Sequence, residues 1–306
     1  KAGFGNYRDY KFKALGRFDY TPDDCKKYHQ SIEQSVVPLW QRILQAQGTS
    51  LALAQLRPWD LQVDPQGRAP LKPFETGGQL VQGCQKIFGE IDVELAQRFS
   101  MMTNKGLLDL ESRKGKAPGG YQHSLHESRV PFIFMNAVGL DADMRTLLHE
   151  AGHAFHMLAC REDPLLEYRQ GPMEFNEVAS MAMEILAGDK IAVFYDETEV
   201  NRCILSLLED IVFILVWVAI VDAFQHWVYE NPTHTPKERA QAWLDIHQRF
   251  GGTTVDWRGL EEERKAMWHR QLHIFEVPFY YIEYGIAQLG ALQLWMNAKK
   301  NWAEAL

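Results

Sequence analysis

The chain is short of several things, and each shortage narrows what it can be. It has four cysteines in 306 residues, Cys25, Cys84, Cys160 and Cys203. No two of them form a C-x-x-C pair, so a cysteine-based zinc site is not expected and no disulfide framework can be read from the spacing. Buried, reduced thiols in a cytoplasmic protein are the expectation. No run of Lys and Arg occurs, and the net charge is -8, which argues against nucleic acid as a main partner. There are no internal repeats and no low-complexity segments. The N-terminal residues carry no signal-peptide core. The apolar run from Ile211 to Val221 is too short to cross a bilayer and is bounded by Glu209-Asp210 and Asp222. It reads as a helix buried on all sides, with no membrane partner.

What is present is a large apolar complement. Hydrophobic residues make up 46% of the chain, with nine Trp, eleven Tyr and sixteen Phe. That suffices for a sizeable ordered core, as one big domain or two closely packed ones. Most of the chain reads as helix. Thr21-Pro22-Asp23-Asp24 opens one that runs through Val36 and resumes after Pro38. Others follow Gly77-Gly78 and Asp92, and further helices are expected over 173–187, about 201–229, 237–249, 261–276 and 281–298. The proline-rich stretch from Arg57 to Phe74 and the glycine-rich one from Lys114 to Gly120 are loops. Val130-Pro131-Phe132-Ile133-Phe134-Met135 reads as a strand, and Pro131 suits an edge position or a strand start. An edge strand there could pair with an extended peptide.

Immediately after that strand comes His149-Glu150-Ala151-Gly152-His153, an H-E-x-x-H pattern. On a helix, residues four apart share a face, so both imidazoles can grip one metal ion while Glu150 serves as a general base. Asp141 or Asp143 can cap the helix after the Gly139 break. Gly152 in mid-helix suggests the close approach of another backbone. Two histidines leave a catalytic zinc site short of a third protein ligand. Candidates downstream are Glu162, Glu167, Glu174, Glu177 and Glu184. Three of these, Glu174, Glu177 and Glu184, lie on one face of the expected 173–187 helix, among apolar neighbours. Glu177 is the preferred ligand and Glu184 the group that orients an imidazole. Glu174 competes with Glu177.

His149-Glu150-Ala151-Gly152-His153-Ala154-Phe155-His156, followed by Phe175-Asn176-Glu177-Val178-Ala179-Ser180 and Glu184, resembles the thimet oligopeptidase and oligoendopeptidase F family of zinc metallopeptidases. The resemblance implies that Glu177 is the third ligand and Glu184 the later family glutamate, and so decides against Glu174. It extends along most of the chain. Gly16-Arg17-Phe18-Asp19-Tyr20-Thr21-Pro22, Leu56-Arg57-Pro58-Trp59-Asp60-Leu61, Asp222-Ala223-Phe224-Gln225-His226-Trp227 and Pro278-Phe279-Tyr280-Tyr281-Ile282-Glu283-Tyr284 are similar to the oligoendopeptidase F branch. Family members are longer at both ends, so residues 1–306 are expected to be the catalytic domain alone, lacking the N-terminal region and the C-terminal end.

Further expectations follow from that resemblance. The fold is a mainly α, zincin-type catalytic domain with a small β-sheet beside the H-E-x-x-H helix. One Zn²⁺ per chain is held by His149, His153 and Glu177, with Glu150 as base for the attacking water. His273 and Tyr284 contact the substrate and stabilise its oxyanion, with Tyr281 as a weaker match; read from the residues alone, the aromatic cluster would be core packing. Substrates are short peptides cut at an internal bond. The alternatives are a zinc- and peptide-binding fragment that no longer turns over, and a carboxypeptidase using Arg113, Arg129 or Arg264 to hold a terminal carboxylate.

Overall fold

The computed structural model describes residues 3–302. In chain order the α-helices and strands are α1 (Tyr7–Ala14), α2 (Pro22–Ser31), α3 (Val37–Ser50), α4 (Gly77–Ile91), α5 (Val93–Asn104), β1 (Leu108–Glu111), β2 (Tyr121–Leu125), β3 (Val130–Ala137), α6 (Asp141–Cys160), α7 (Val178–Gly188), α8 (Glu197–Glu230), α9 (Pro236–Gly251), α10 (Glu261–Ala266), α11 (His273–Glu276) and α12 (Ile282–Ala298). The fold is mainly helical with one small sheet, as the sequence leads one to expect. The chain divides into two compact units. Unit one comprises Lys1–Arg68 and Leu208–Gly285, and unit two comprises Ala69–Leu207 and Ile286–Leu306.

In unit one, α2 starts where T-P-D-D predicts. Pro22 occupies the first turn, and the Asp24 carboxylate accepts the Thr21 N–H at 3.0 Å. The helix does not break at Pro38. A π-turn over Ile32–Val36 joins α2 to α3, and Pro38 falls in the first turn of α3, where its missing N–H matters least. The core forms on α8, whose residues from Leu215 to Val221 and Phe224 are buried. Phe224 meets Trp243 of α9 edge-on, with ring centroids 5.2 Å apart, and the Trp243 indole donates to the Arg264 carbonyl at 2.8 Å. By length and hydropathy α8 is the one helix among the described residues that could cross a membrane, yet its apolar centre is packed inside the fold. The expected 261–276 helix is broken into α10, a 3₁₀ turn over Met267–Arg270, and α11.

In unit two, α4 packs on α5 and α6 around Phe88, Phe99 and Phe155, which meet edge-on at 4.9 Å. The sheet order is β1-β3-β2, with β1 parallel and β2 antiparallel to β3. This corrects one expectation. The strand ahead of the H-E-x-x-H helix, β3, is central and paired on both sides, and Pro131 is tolerated because it sits at the strand start. The edge beside it is β2.

Two more expectations change. Leu140 is the N-cap of α6, and Asp143 acts from the first turn, accepting the Val138 and Leu140 N–H groups at 2.8 and 2.9 Å. Asp141 instead accepts from the Tyr195 hydroxyl at 2.6 Å. The expected 173–187 helix is split. Met173–Phe175 forms a 3₁₀ turn, and Glu177 is the N-cap residue of α7. Glu174 therefore does not share a helical face with Glu177 and Glu184.

Candidate metal centre

The site is built on two helices of unit two whose backbones touch. A Cβ placed on Gly152 would lie 2.6 Å from the Ala179 carbonyl oxygen and 2.6 Å from the Ser180 Cα. Glycine at this point lets α6 approach the start of α7 closely, and the conformational cost of a mid-helix glycine is accepted for that contact.

Across this contact the side chains converge. The Nε2 atoms of His149 and His153 each lie 3.3 Å from Glu177 Oε2. The two rings are 4.9 Å apart and nearly perpendicular. Behind them, His149 Nδ1 pairs with Glu184 Oε1 at 2.7 Å, which leaves Nε2 as the outward nitrogen of that ring. Glu184, two turns into α7, thus meets the same histidine as Glu177 without sharing its contact atom. The carboxylate that joins the two imidazoles is Glu177; Glu174 is outside the cluster. Ser180, to which sequence reasoning gave no role, sits with Oγ 3.1 Å from Glu177 Oε2 and restrains that carboxylate. Its position three residues after the glutamate was the available signal.

The electrostatics call for a cation. Burial works to raise the Glu177 pKa, but His149 and His153 outweigh it and hold the carboxyl well below its usual range. Burial also opposes charge on His149, and there the Glu177 and Glu184 carboxylates win and push its pKa up to about 10. Positive charge is favoured between these groups, whether a proton or a metal ion brings it. Two imidazole nitrogens and a carboxylate oxygen, within 4.8 Å of one another, fit a divalent ion of the zinc class with a coordination position to spare. Glu150 is buried beside them. Its pKa is raised by burial, while His149, His153 and the backbone N–H of Gln122 on the edge strand β2 pull the other way.

The residues expected to contact substrate lie in unit one and form a cluster of their own. His273 Nε2 is 3.2 Å from the Tyr284 hydroxyl, and His273 Nδ1 is 2.7 Å from Gln271 Nε2. Both His273 and Tyr284 are partly exposed. Tyr281 is buried, its ring 5.2 Å from His273, and burial pushes its hydroxyl pKa up to about 12. Three of the sequence segments noted above meet here. Arg17 pairs with Glu283 and donates to the Phe279 carbonyl, Tyr20 donates to Glu283 at 2.9 Å, and Gln225 accepts the Phe279 N–H at 2.7 Å. Phe279 has φ of 68°, a strained value for a non-glycine residue, and these bonds hold it there.

The chain has recognisable relatives. The sequence profile of peptidase family M3 matches residues 1–305. The chain belongs to peptidase family M3. Among curated M3 relatives, the chromosomal oligoendopeptidase F of Lactococcus lactis subsp. cremoris is 26% identical over 164 residues, 53% of this chain and 27% of the relative. An oligoendopeptidase F homolog of Borreliella burgdorferi is 23% identical over 235 residues, 73% of this chain and 39% of its own. The solved structure of PZ peptidase A with an inhibitor aligns at a TM-score of 0.91 and 34% identity, over 99% of this chain and 54% of that one. Oligoendopeptidase-F from Enterococcus faecium, 14% identical with a TM-score of 0.61 over 96% of this chain and 45% of that one, speaks for the fold alone. The chain therefore spans about half the length, or less, of the M3 proteins it matches.

Proposed function

We propose that this chain carries the catalytic apparatus of a zinc-dependent oligopeptidase that hydrolyses internal bonds of short peptides. The observation that carries the reading is the convergence of His149 and His153 on Glu177, with Glu184 behind His149 and Glu150 on the same helix. His149, His153 and Glu177 would hold one zinc ion per chain. Zinc bound there supplies Lewis acidity and lowers the pKa of water toward about 7.

The chain's own residues do the rest. Glu150 takes a proton from the attacking water and returns it to the leaving amine, and its burial favours keeping that proton between the two steps. The free edge of β2, whose Gln122 N–H reaches Glu150, offers backbone groups with which an extended peptide can pair. Tyr284 and His273 act as donors to the oxygen on which negative charge develops. Their partial exposure suits that role better than the buried position of Tyr281 suits it. The carboxypeptidase alternative loses support because its three candidate arginines are engaged. Arg113 pairs with Asp109 at 2.6 Å, Arg129 donates to the Arg161 carbonyl at 3.2 Å, and Arg264 bonds His247 Nδ1 at 3.1 Å. Four unpaired cysteines, three of them buried, suit a cytoplasmic setting.

The test is cleavage of an internally quenched peptide, with products identified by mass. Internal cuts that a chelator abolishes and zinc restores are expected. Cleavage indifferent to chelation, or release of single terminal residues, would overturn the reading.

A further inference from the structure

Unit one contains a second convergence of metal-ligating side chains, unrelated to the M3 site. Cys25 and His29 are four residues apart on α2, and Asp222 and His226 are four apart on α8, so each pair occupies one helix face. The faces meet. His29 Nε2 is 2.8 Å from Asp222 Oδ2, and His226 Nε2 is 3.3 Å from the same oxygen. Ligand atoms of Cys25, Asp222 and His226 all lie within 4.8 Å of one another. A tetrahedral zinc ion, with bonds of about 2.0–2.3 Å, places its ligand atoms roughly 3.3–3.8 Å apart, so only small side-chain adjustments are needed.

Two observations mark this as more than packing. Asp222 is fully buried and its Oδ1 has no hydrogen-bond partner; of the ring nitrogens of His226, 3% exposed, Nδ1 has none and Nε2 has only the 3.3 Å approach to Asp222 Oδ2. Buried polar atoms are ordinarily satisfied, and a cation would satisfy Asp222 Oδ1 together with one ring nitrogen of His226. The surroundings of His226 are otherwise aromatic, with Phe279 and Phe12 edge-on at 5.4 and 6.1 Å. Both imidazoles, though not Cys25 or Asp222, also border a cavity of about 300 Å³, lined in part by His29, His226 and Glu230.

We propose that Cys25, Asp222 and His226 form a second metal site, for a thiophilic divalent ion of the zinc class, with His29 holding Asp222 in place. Binding releases the Cys25 thiol proton to solvent and places the thiolate, carboxylate and imidazole on the ion. The ion ties α2 to α8 behind Phe279. Its role is structural and independent of the reading of the M3 site.

The test uses the whole chain in a Cys160→Ser background, which removes the one thiol that is not buried. After zinc loading and desalting, two zinc ions per chain are expected, and one after His149→Ala/His153→Ala. Loaded with Co²⁺, that double variant is expected to show a thiolate-to-cobalt charge-transfer band that Cys25→Ser removes. Its melting temperature is expected to rise on zinc addition. One zinc in the parent and none in the double variant, or a cobalt spectrum without the thiolate band while Cys25 is present, would overturn the proposal. That last reading decides the matter even if Cys25→Ser fails to fold.

Discussion

The α6–α7 cluster and the α2–α8 cluster use the same local device with different surroundings. In each, ligand-type side chains four residues apart on one helix face a carboxylate on another. Around Glu177 the histidines are about a fifth exposed, and a neighbouring Ser180 and Glu184 restrain the contact atoms. Around Asp222 everything is buried, and several polar atoms have no partner. Burial works to raise the Asp222 pKa, but His226 and His29 outweigh it and keep the carboxyl well below its usual range. The two clusters direct their interactions differently. The first is held open and oriented, as chemistry on an external substrate requires. The second is buried except where a cavity borders its imidazoles, and an ion held there, as proposed above, would act as part of the fold.

Substitutions put that contrast to the test. The largest expected effect is Glu177→Ala, which removes zinc and peptide cleavage together and lowers the melting temperature of the metal-free protein by less than Asp222→Ala does, since its histidine partners are about a fifth exposed; Glu174→Ala keeps metal and activity. Metal content and turnover, measured side by side, check the pair. Asp222→Ala is the opposite case. Removing one partner of a buried charged pair costs about 3–5 kcal/mol, to be read from denaturant unfolding. A stability loss below about 1 kcal/mol would show that burial at Asp222 was misjudged. Tyr284→Phe is expected to lower kcat on the order of 10²–10³-fold, as loss of one oxyanion donor does, whereas Tyr281→Phe leaves kcat within a few-fold. Glu184→Gln is the mildest. It keeps a hydrogen-bond acceptor for His149 but loses the charge, and zinc affinity should fall by about 10–100-fold in a competition titration with a chelator.

The same contrast explains what was legible in the sequence. His149, Glu150 and His153 could be read directly because one helix turn carries all three, and contiguity makes the chemistry visible. Glu177 and Glu184 both reach the histidines, but not along the path that the spacing suggests. The spacing puts them on one continuous helix with Glu174, whereas Glu177 stands at the N-cap of α7 after a 3₁₀ turn. Its approach to the histidines depends on Gly152 allowing the two backbones to touch. The small sheet was half seen. β3 announces itself by an apolar β-favouring run, but β1 and β2 are only four and five residues long, so nothing in the sequence shows that β3 has a partner on each side, and Pro131 leaves an edge position as open as a strand start. The α2–α8 cluster was hidden because Cys25 and Asp222 are nearly two hundred positions apart and neither C-x₃-H nor D-x₃-H stands out on a helix. The Asp222–Trp227 segment was noticed only as a likeness to relatives; its contacts with Phe279 and His29 give it a physical reason.

The measurement that bears most directly on the function is peptide cleavage by the zinc-loaded protein beside its Glu150→Gln variant. Gln keeps the size of the side chain and the metal ligands intact but cannot take a proton. The expected result is internal cleavage by the parent and a loss on the order of 10²–10⁴-fold in the variant, with equal zinc in both. Equal cleavage by the two proteins would contradict a hydrolytic role for this site.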